Sequence, residues 1–128
     1  MVYRLVPVTT REEATVLFGE MERLCPEYWE NVQNVPEMEG WVSFVLREGL
    51  LLAGYRDERP CGWMFLKWVN RTEDVAELHV CRFRQGWRGV HGIAFFHELR
   101  RLFPEVRLQV PNDATRAARM LYGAATRI

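Results

Sequence analysis

The chain has 128 residues, enough for one domain with its own core and too few for two. Apolar residues make up 48% of it and charged residues 27%, a globular balance that excludes a low-complexity or disordered chain. Seventeen basic residues offset seventeen acidic ones, so no global charge draws the protein to nucleic acid. The signs are unevenly spread. Residues 12–39 lean acidic and residues 82–127 hold most of the arginines. That block either attracts phosphates or solvates helix faces. The longest apolar runs fall well short of the ~20 residues a spanning helix needs, and no charged-then-apolar leader opens the sequence. The three cysteines, Cys25, Cys61 and Cys81, show no CxxC spacing and read as reduced thiols. The expectation is a soluble, cytoplasmic protein with no membrane contact.

In chain order, Tyr3 to Val8 reads as a strand, with Pro7 marking an edge. Thr10 and Glu13 form a capping-box pattern. Ala14, Leu17, Phe18, Met21 and Leu24 recur at helical steps, so a helix runs to about Cys25 and Pro26 ends it. Glu27 to Gly40 is irregular, with a second helix at its start or over Glu39 to Arg47. Three strand signals follow. Gly49 to Tyr55 precedes a turn at Arg56 to Pro60, and Cys61 to Val69 precedes a turn at Asn70 to Asp74. Val75 to Phe83 is the third. Strict alternation puts Leu78 and Val80 on one face and Glu77, His79, Cys81 and Phe83 on the other. The short turns favour an antiparallel meander.

Gln85 to Gly92 is then a glycine-bearing loop. Ile93, Phe96, Leu99 and Leu102 make a helical stripe that ends before Pro104. Val106 to Val110 is a strand, and Asn112 or Asp113 caps a last helix carrying Ala117, Ala118, Leu121 and Tyr122. The whole reads as one α/β domain over residues 1–128. Its mixed sheet is a meander followed by a strand–helix–strand unit, whose strands are parallel neighbours, and a C-terminal helix.

A strand ending in a glycine loop that opens a helix is an anion site. The first amides of the helix have no partner within it, the dipole is positive there, and Arg84 and Arg88 add charge. Most such loops only reverse the chain, so the motif alone is weak.

The run Glu77-Leu78-His79-Val80-Cys81-Arg82-Phe83, followed by Gly86-Trp87-Arg88-Gly89 and an apolar helix, resembles the central segment of the GNAT (Gcn5-related N-acetyltransferase) family. The element order on both sides agrees, and the resemblance is strongest from Cys61 to Tyr122. It implies a GNAT-like fold and acetyl-CoA as cosubstrate. It implies that Phe83, Arg84, Trp87, Arg88, Gly89, Val90, His91, Gly92 and Ile93 hold the cofactor arm, with Asn112 nearby. Tyr122, on the last helix, stands where such proteins carry an acid for the leaving thiolate. Read without a gap, His91 and Ile93 occupy the two positions where the family has small residues. With one inserted residue, Gly92 and Ala94 do.

Acylating an amine also requires a base or a water chain. Glu77 is the first choice and His79 the second, because both lie on one face of the strand before the loop. His79, Cys81 and His91 match no zinc spacing, so no metal site is expected. Trp41, Trp63, Phe65 and Trp68 either line a groove or fill the core, and the core is favoured. The expected function is transfer of an acetyl group from acetyl-CoA to an amine of a small molecule or protein. The alternative is an inactive GNAT-like binding or assembly module, of a type resembling phage and prophage proteins. It is favoured by the altered loop and by Thr115 standing where Asn is usual. The family's further C-terminal strand is not present before Ile128, which leaves that side open or completed by a second copy in a homodimer. A nucleic-acid binder would interleave aromatic and basic residues on one face, and Trp87 with Arg88 alone does not.

Overall fold

A computed structural model describes residues 2–24, 35–83 and 90–109, with side chains described over 2–23, 38–79 and 93–109. Its elements are β1 (Tyr3–Val8), α1 (Arg11–Leu24), α2 (Val35–Glu48), β2 (Gly49–Arg56), β3 (Arg59–Asn70), β4 (Val75–Phe83), α3 (Val90–Leu102) and β5 (Arg107–Gln109). The strands form one sheet in the order β1-β2-β3-β4-β5. The first three pairings are antiparallel and β4–β5 is parallel. This is the expected meander followed by a strand–helix–strand crossover.

Local chemistry explains the boundaries. The Thr10 hydroxyl donates to Glu13 Oε1 at 2.9 Å, and the Glu13 N–H donates to Thr10 Oγ1 at 3.2 Å. Those bonds tie down the first turn of α1, the second being the N-cap half of the capping pattern and the first reaching the Thr10 hydroxyl. The β2–β3 hairpin turns on Asp57 and Glu58 alone, with φ of 49° and 65°, the pair of left-handed residues that a twisted two-residue turn demands. Asp57 gains compensation at the tip. Its carboxylate accepts the Val2 N–H at 2.8 Å, and its own N–H donates to the Val2 carbonyl at 2.8 Å. With only two residues in the turn, β3 begins at Arg59 rather than at Cys61.

Two helices also differ from expectation. The second helix spans Val35–Glu48, reaching well before Glu39. Pro36 lies in its first turn, where a missing N–H costs no helical bond. The third begins at Val90, so Val90, His91 and Gly92, expected in the loop, are helical. The remainder of the glycine loop, Val110 and the last helix lie outside the described residues.

The central strands are buried on both faces, which accounts for their near-continuous apolar runs. On one face, Leu5, Leu52, Met64, Leu66, Ala76, Leu78 and Leu108 pack against Phe95, Phe96 and Leu99 of α3. Each large side chain fully buried there contributes about 1.5–3 kcal/mol at most. On the other face, Val8, Leu51, Ala53, Trp63 and Phe65 meet Ala14, Leu17, Phe18 and Met21 of α1 and Val42 and Val45 of α2. The described residues therefore form three layers, α1 and α2 on one side of the sheet and α3 on the other. No described helix is long and apolar enough to cross a membrane.

Gly49 sets how α2 meets the sheet. Strand β2 starts on the residue after α2, and a Cβ on Gly49 would lie 1.9 Å from the Leu66 carbonyl oxygen. Only glycine permits this approach of β2 to β3 directly after α2.

Candidate active site

Strand β4 is at the centre of the site. On one side it pairs with β3 from Val75 to Phe83. On the other, the described pairing with β5 covers only Val75, Ala76 and Glu77, opposite Arg107, Leu108 and Gln109. Arg107 is set by a turn whose residue Asp74 has φ 55° and whose carbonyl accepts the Arg107 N–H at 2.8 Å.

The β3–β4 ladder shifts register twice, near its end between Trp68 and Asn70 and in its middle between Phe65 and Leu66. Phe65 faces Val80, but the next residue, Leu66, faces Leu78, so His79 has no partner residue on β3. Such a bulge bends the strand and disrupts the ladder where it occurs. Leu66 and Leu78 belong to the α3-side core and Phe65 to the opposite core.

Glu77 and His79 come together on the α1/α2 side, with Glu77 Oε1 3.2 Å from His79 Nδ1. Both are partly open to solvent, with side chains 34% and 38% exposed. The imidazole lies edge-on to Phe65, with centroids 5.6 Å apart and planes at 82°, and 6.2 Å from the Phe44 ring of α2. Phe44 itself stacks on Trp41 at 5.7 Å and meets Phe65 at 5.6 Å. Lys67, opposite Glu77 in register, holds its Nζ 6.0 Å from the Phe44 centroid. The two candidate bases are thus one hydrogen-bonded unit against an aromatic wall.

The expectation that the aromatic strand residues are core holds for Trp63 and Phe65, which are buried. Trp41 is half-buried and joins the wall. Trp68 packs on the other layer. Phe44 and the bulge were not anticipated. Phe44 stands three residues after Trp41, a helical step that signals a shared face. The bulge has no such signal, since Leu78-His79-Val80 contains no glycine or proline.

Helix α3 begins close after β4 and carries no acidic residue in its first turn. The first-turn amides, from Val90, His91, Gly92 and Ile93, have no acceptor within the helix, and no carboxylate of that turn opposes an anion. Ile93 is half-buried. Farther along, the Arg101 guanidinium bonds to Glu98 at 2.9 and 3.0 Å. That bond holds the Glu98 carboxyl below the usual range, against a smaller opposing effect of burial. Phe83 pairs through its backbone with Gly62 at the end of β4. The side chains of Phe83, Val90, His91 and Gly92, and all of Arg84, Trp87, Arg88, Gly89, Asn112 and Tyr122, lie outside what the structure describes. Among the described residues no three His, Cys, Asp or Glu side chains converge to hold a metal ion. A groove of about 520 Å³ between α1 and α2, flanked by Glu12, Glu22 and Glu39, includes neither Glu77 nor His79.

No protein-family profile and no curated protein matches the sequence. Solved structures do match. An acetyltransferase of the GNAT family from Streptococcus pneumoniae is 14% identical with a TM-score of 0.59, covering 96% of this chain and 83% of its own. A predicted acetyltransferase with acetyl-CoA from Clostridium acetobutylicum is 11% identical with a TM-score of 0.59, covering 99% and 90%. An aminoglycoside acetyltransferase from an uncultured soil metagenomic sample, in complex with sisomicin, is 12% identical with a TM-score of 0.60, covering 98% and 88%. The chain has the fold of the GNAT acetyltransferases: a mixed five-stranded sheet with helices on both faces.

Proposed function

We propose that this protein is an N-acyltransferase that takes an acetyl group from acetyl-CoA to an amine. The observation that carries the proposal is β4 itself. It is bulged at His79, carries Glu77 and His79 together, and precedes in sequence α3, whose first-turn amides have no acceptor within the helix. The fold is shared with a protein whose structure includes acetyl-CoA and with one that holds an aminoglycoside, a polyamine.

The residues present suit the cosubstrate. The start of α3 offers amides and no opposing carboxylate to a diphosphate, and Arg84, Trp87, Arg88 and Gly89 precede it in sequence. When bound, acetyl-CoA supplies an activated acyl carbon and a thiolate leaving group. We assign to the main chain of His79, which has no partner residue on β3, the contact with a carbonyl oxygen that gains charge. Glu77 and His79 provide the means to remove a proton from the acceptor ammonium. Phe44 and Phe65 shield one side of that pair from water. Tyr122 is the proposed proton donor to the thiolate. The reaction is direct attack of the amine on the acyl carbon, with no acyl-enzyme.

The test is release of free thiol from acetyl-CoA on addition of amines, with sisomicin and spermidine among them. Amine-dependent release is expected. Acetyl-CoA at about a hundred times its Kd should also stabilise the fold by about 2.7 kcal/mol. A second reading, a non-catalytic module of the same fold, is favoured by His91 and Ile93 at the family's small positions. A folded chain with no stabilisation at millimolar acetyl-CoA would establish that reading in place of the first.

A further inference from the structure

We infer that Glu77 and His79 divide one task. His79 Nε2 is the base that receives the proton of the acceptor ammonium, and Glu77 is a positioning residue that fixes the imidazole. The inference rests on the acyltransferase reading and assigns the proton-handling role within it. It reverses the order of preference suggested by the sequence, where the carboxylate comes first.

Three observations carry it. The contact from Glu77 Oε1 goes to Nδ1, at 3.2 Å. A carboxylate accepts and cannot donate, so Nδ1 bears the hydrogen, and in the neutral ring the lone pair is left on Nε2. The ring is also held from two elements besides its own, by Phe65 of β3 at 5.6 Å and Phe44 of α2 at 6.2 Å. A carboxylate bond and two ring contacts fix both tautomer and direction, which a lone rim histidine does not need. Finally, the His79 side chain keeps 38% of its surface open, so a solute can reach it. Glu77, by contrast, has one oxygen committed to the imidazole. Lys67 is the charged neighbour across the ladder, drawn 6.0 Å over Phe44.

The proton and electron accounts close. His79 Nε2 takes one proton from the acceptor ammonium, and the freed nitrogen lone pair forms the C–N bond to the thioester carbon. The C–S bond then breaks with its electron pair on sulfur. The nitrogen sheds a second proton, the thiolate gains one, and the proton on His79 passes to water. The products are the amide, free coenzyme A and one proton released.

Imidazole ¹⁵N spectra of the intact chain test the positioning role without any acceptor. His79 is expected as the Nδ1–H tautomer in the wild type and in E77Q, whose amide oxygen still accepts, and to move towards Nε2–H in E77A. An unchanged tautomer in E77A overturns the assignment. Acetyl transfer to spermidine, as probe amine, tests the base. H79Q is expected to lose about 10²–10⁴-fold in kcat with acetyl-CoA affinity unchanged, the range for a lost general base. E77Q should retain far more activity than E77A, and E77A should cost little further in an H79Q background. If E77Q is as inactive as E77A while H79Q stays active, Glu77 is the base and the division of roles is wrong. If the wild type transfers nothing to spermidine and binds no acetyl-CoA, the acyltransferase reading fails, and the tautomer spectra still decide whether Glu77 positions His79.

Discussion

Replacing Gly49 with alanine should be among the most damaging single-methyl changes in this protein. The added Cβ would lie 1.9 Å from Leu66 O, 2.8 Å from Leu66 C and 2.9 Å from Lys67 Cα. All three are backbone atoms of β3, so no side chain can rotate away. Relief requires β2 to retreat from β3 by more than an ångström, at a position where Gly49 pairs with Lys67. Overpacking of this kind costs about 1–3 kcal/mol and occasionally more. The unfolded-state benefit of removing a glycine returns only about 0.4–1 kcal/mol. A net loss of about 2 kcal/mol is expected, a fall in Tm of about 7 °C for a domain of this size. Urea unfolding should show a lower midpoint with an unchanged slope. Because α2 runs directly into Gly49, the shift should also loosen Phe44 from His79, seen as a change in the His79 ring resonances. A cost below about 0.5 kcal/mol, within the range of an ordinary surface change, would refute the close approach at this junction. Gly40 is the control. A Cβ there meets nothing within 4 Å, in the middle of α2, so Gly40→Ala should stabilise by about 0.5–1 kcal/mol.

Thr10→Ala should cost about 1 kcal/mol, because the Glu13 N–H and carboxylate both lose their partner at the start of α1. Chemical denaturation reads this, and an equal loss for Thr15→Ala, whose hydroxyl bonds only to the Arg11 carbonyl, would show that the cap is not the cause. The Glu98 carboxyl is held below its ordinary range by Arg101, so its contribution to stability is present above the unfolded-state value and is lost as pH falls through the folded one. The stability difference between wild type and E98Q should therefore shrink as pH is lowered below the ordinary glutamate range. A difference that stays constant there would contradict the pairing.

The fold was legible wherever burial imposes a period. The apolar residues of β1, α1 and α3 recur at steps of two or of three and four. Val75–Phe83 is bounded by a turn cluster and a glycine loop, so its limits were clear. Helix α2 extends into the stretch whose sequence is irregular, and Pro36 is harmless there because it lies in the first turn. The start of β3 was read late because Arg59 and Pro60 look like turn residues. The two-residue hairpin forces them into the ladder. At the site, the sequence gives Glu77 and His79 on one strand face. It does not give the bulge, since a ladder break depends on which residue of β3 lies opposite. Nor does it give the hydrogen bond, or the part played by Phe44, which reaches the imidazole from another element. Of the remaining candidates, Arg84 and Arg88 stand on the charge they add to the glycine loop as well as on the resemblance, and Trp87, Gly89, Asn112 and Tyr122 on the resemblance.

Titrating acetyl-CoA into the uniformly ¹⁵N-labelled chain tests the proposed chemistry most directly, through the backbone amides. Saturable shifts are expected at Leu78 to Phe83 of β4 and at Val90 to Ile93 of α3, with β1 and the Asp57–Glu58 turn unaffected. No shifts at millimolar acetyl-CoA, or shifts confined to residues away from β4 and the start of α3, would contradict an acyl-transfer site at this strand.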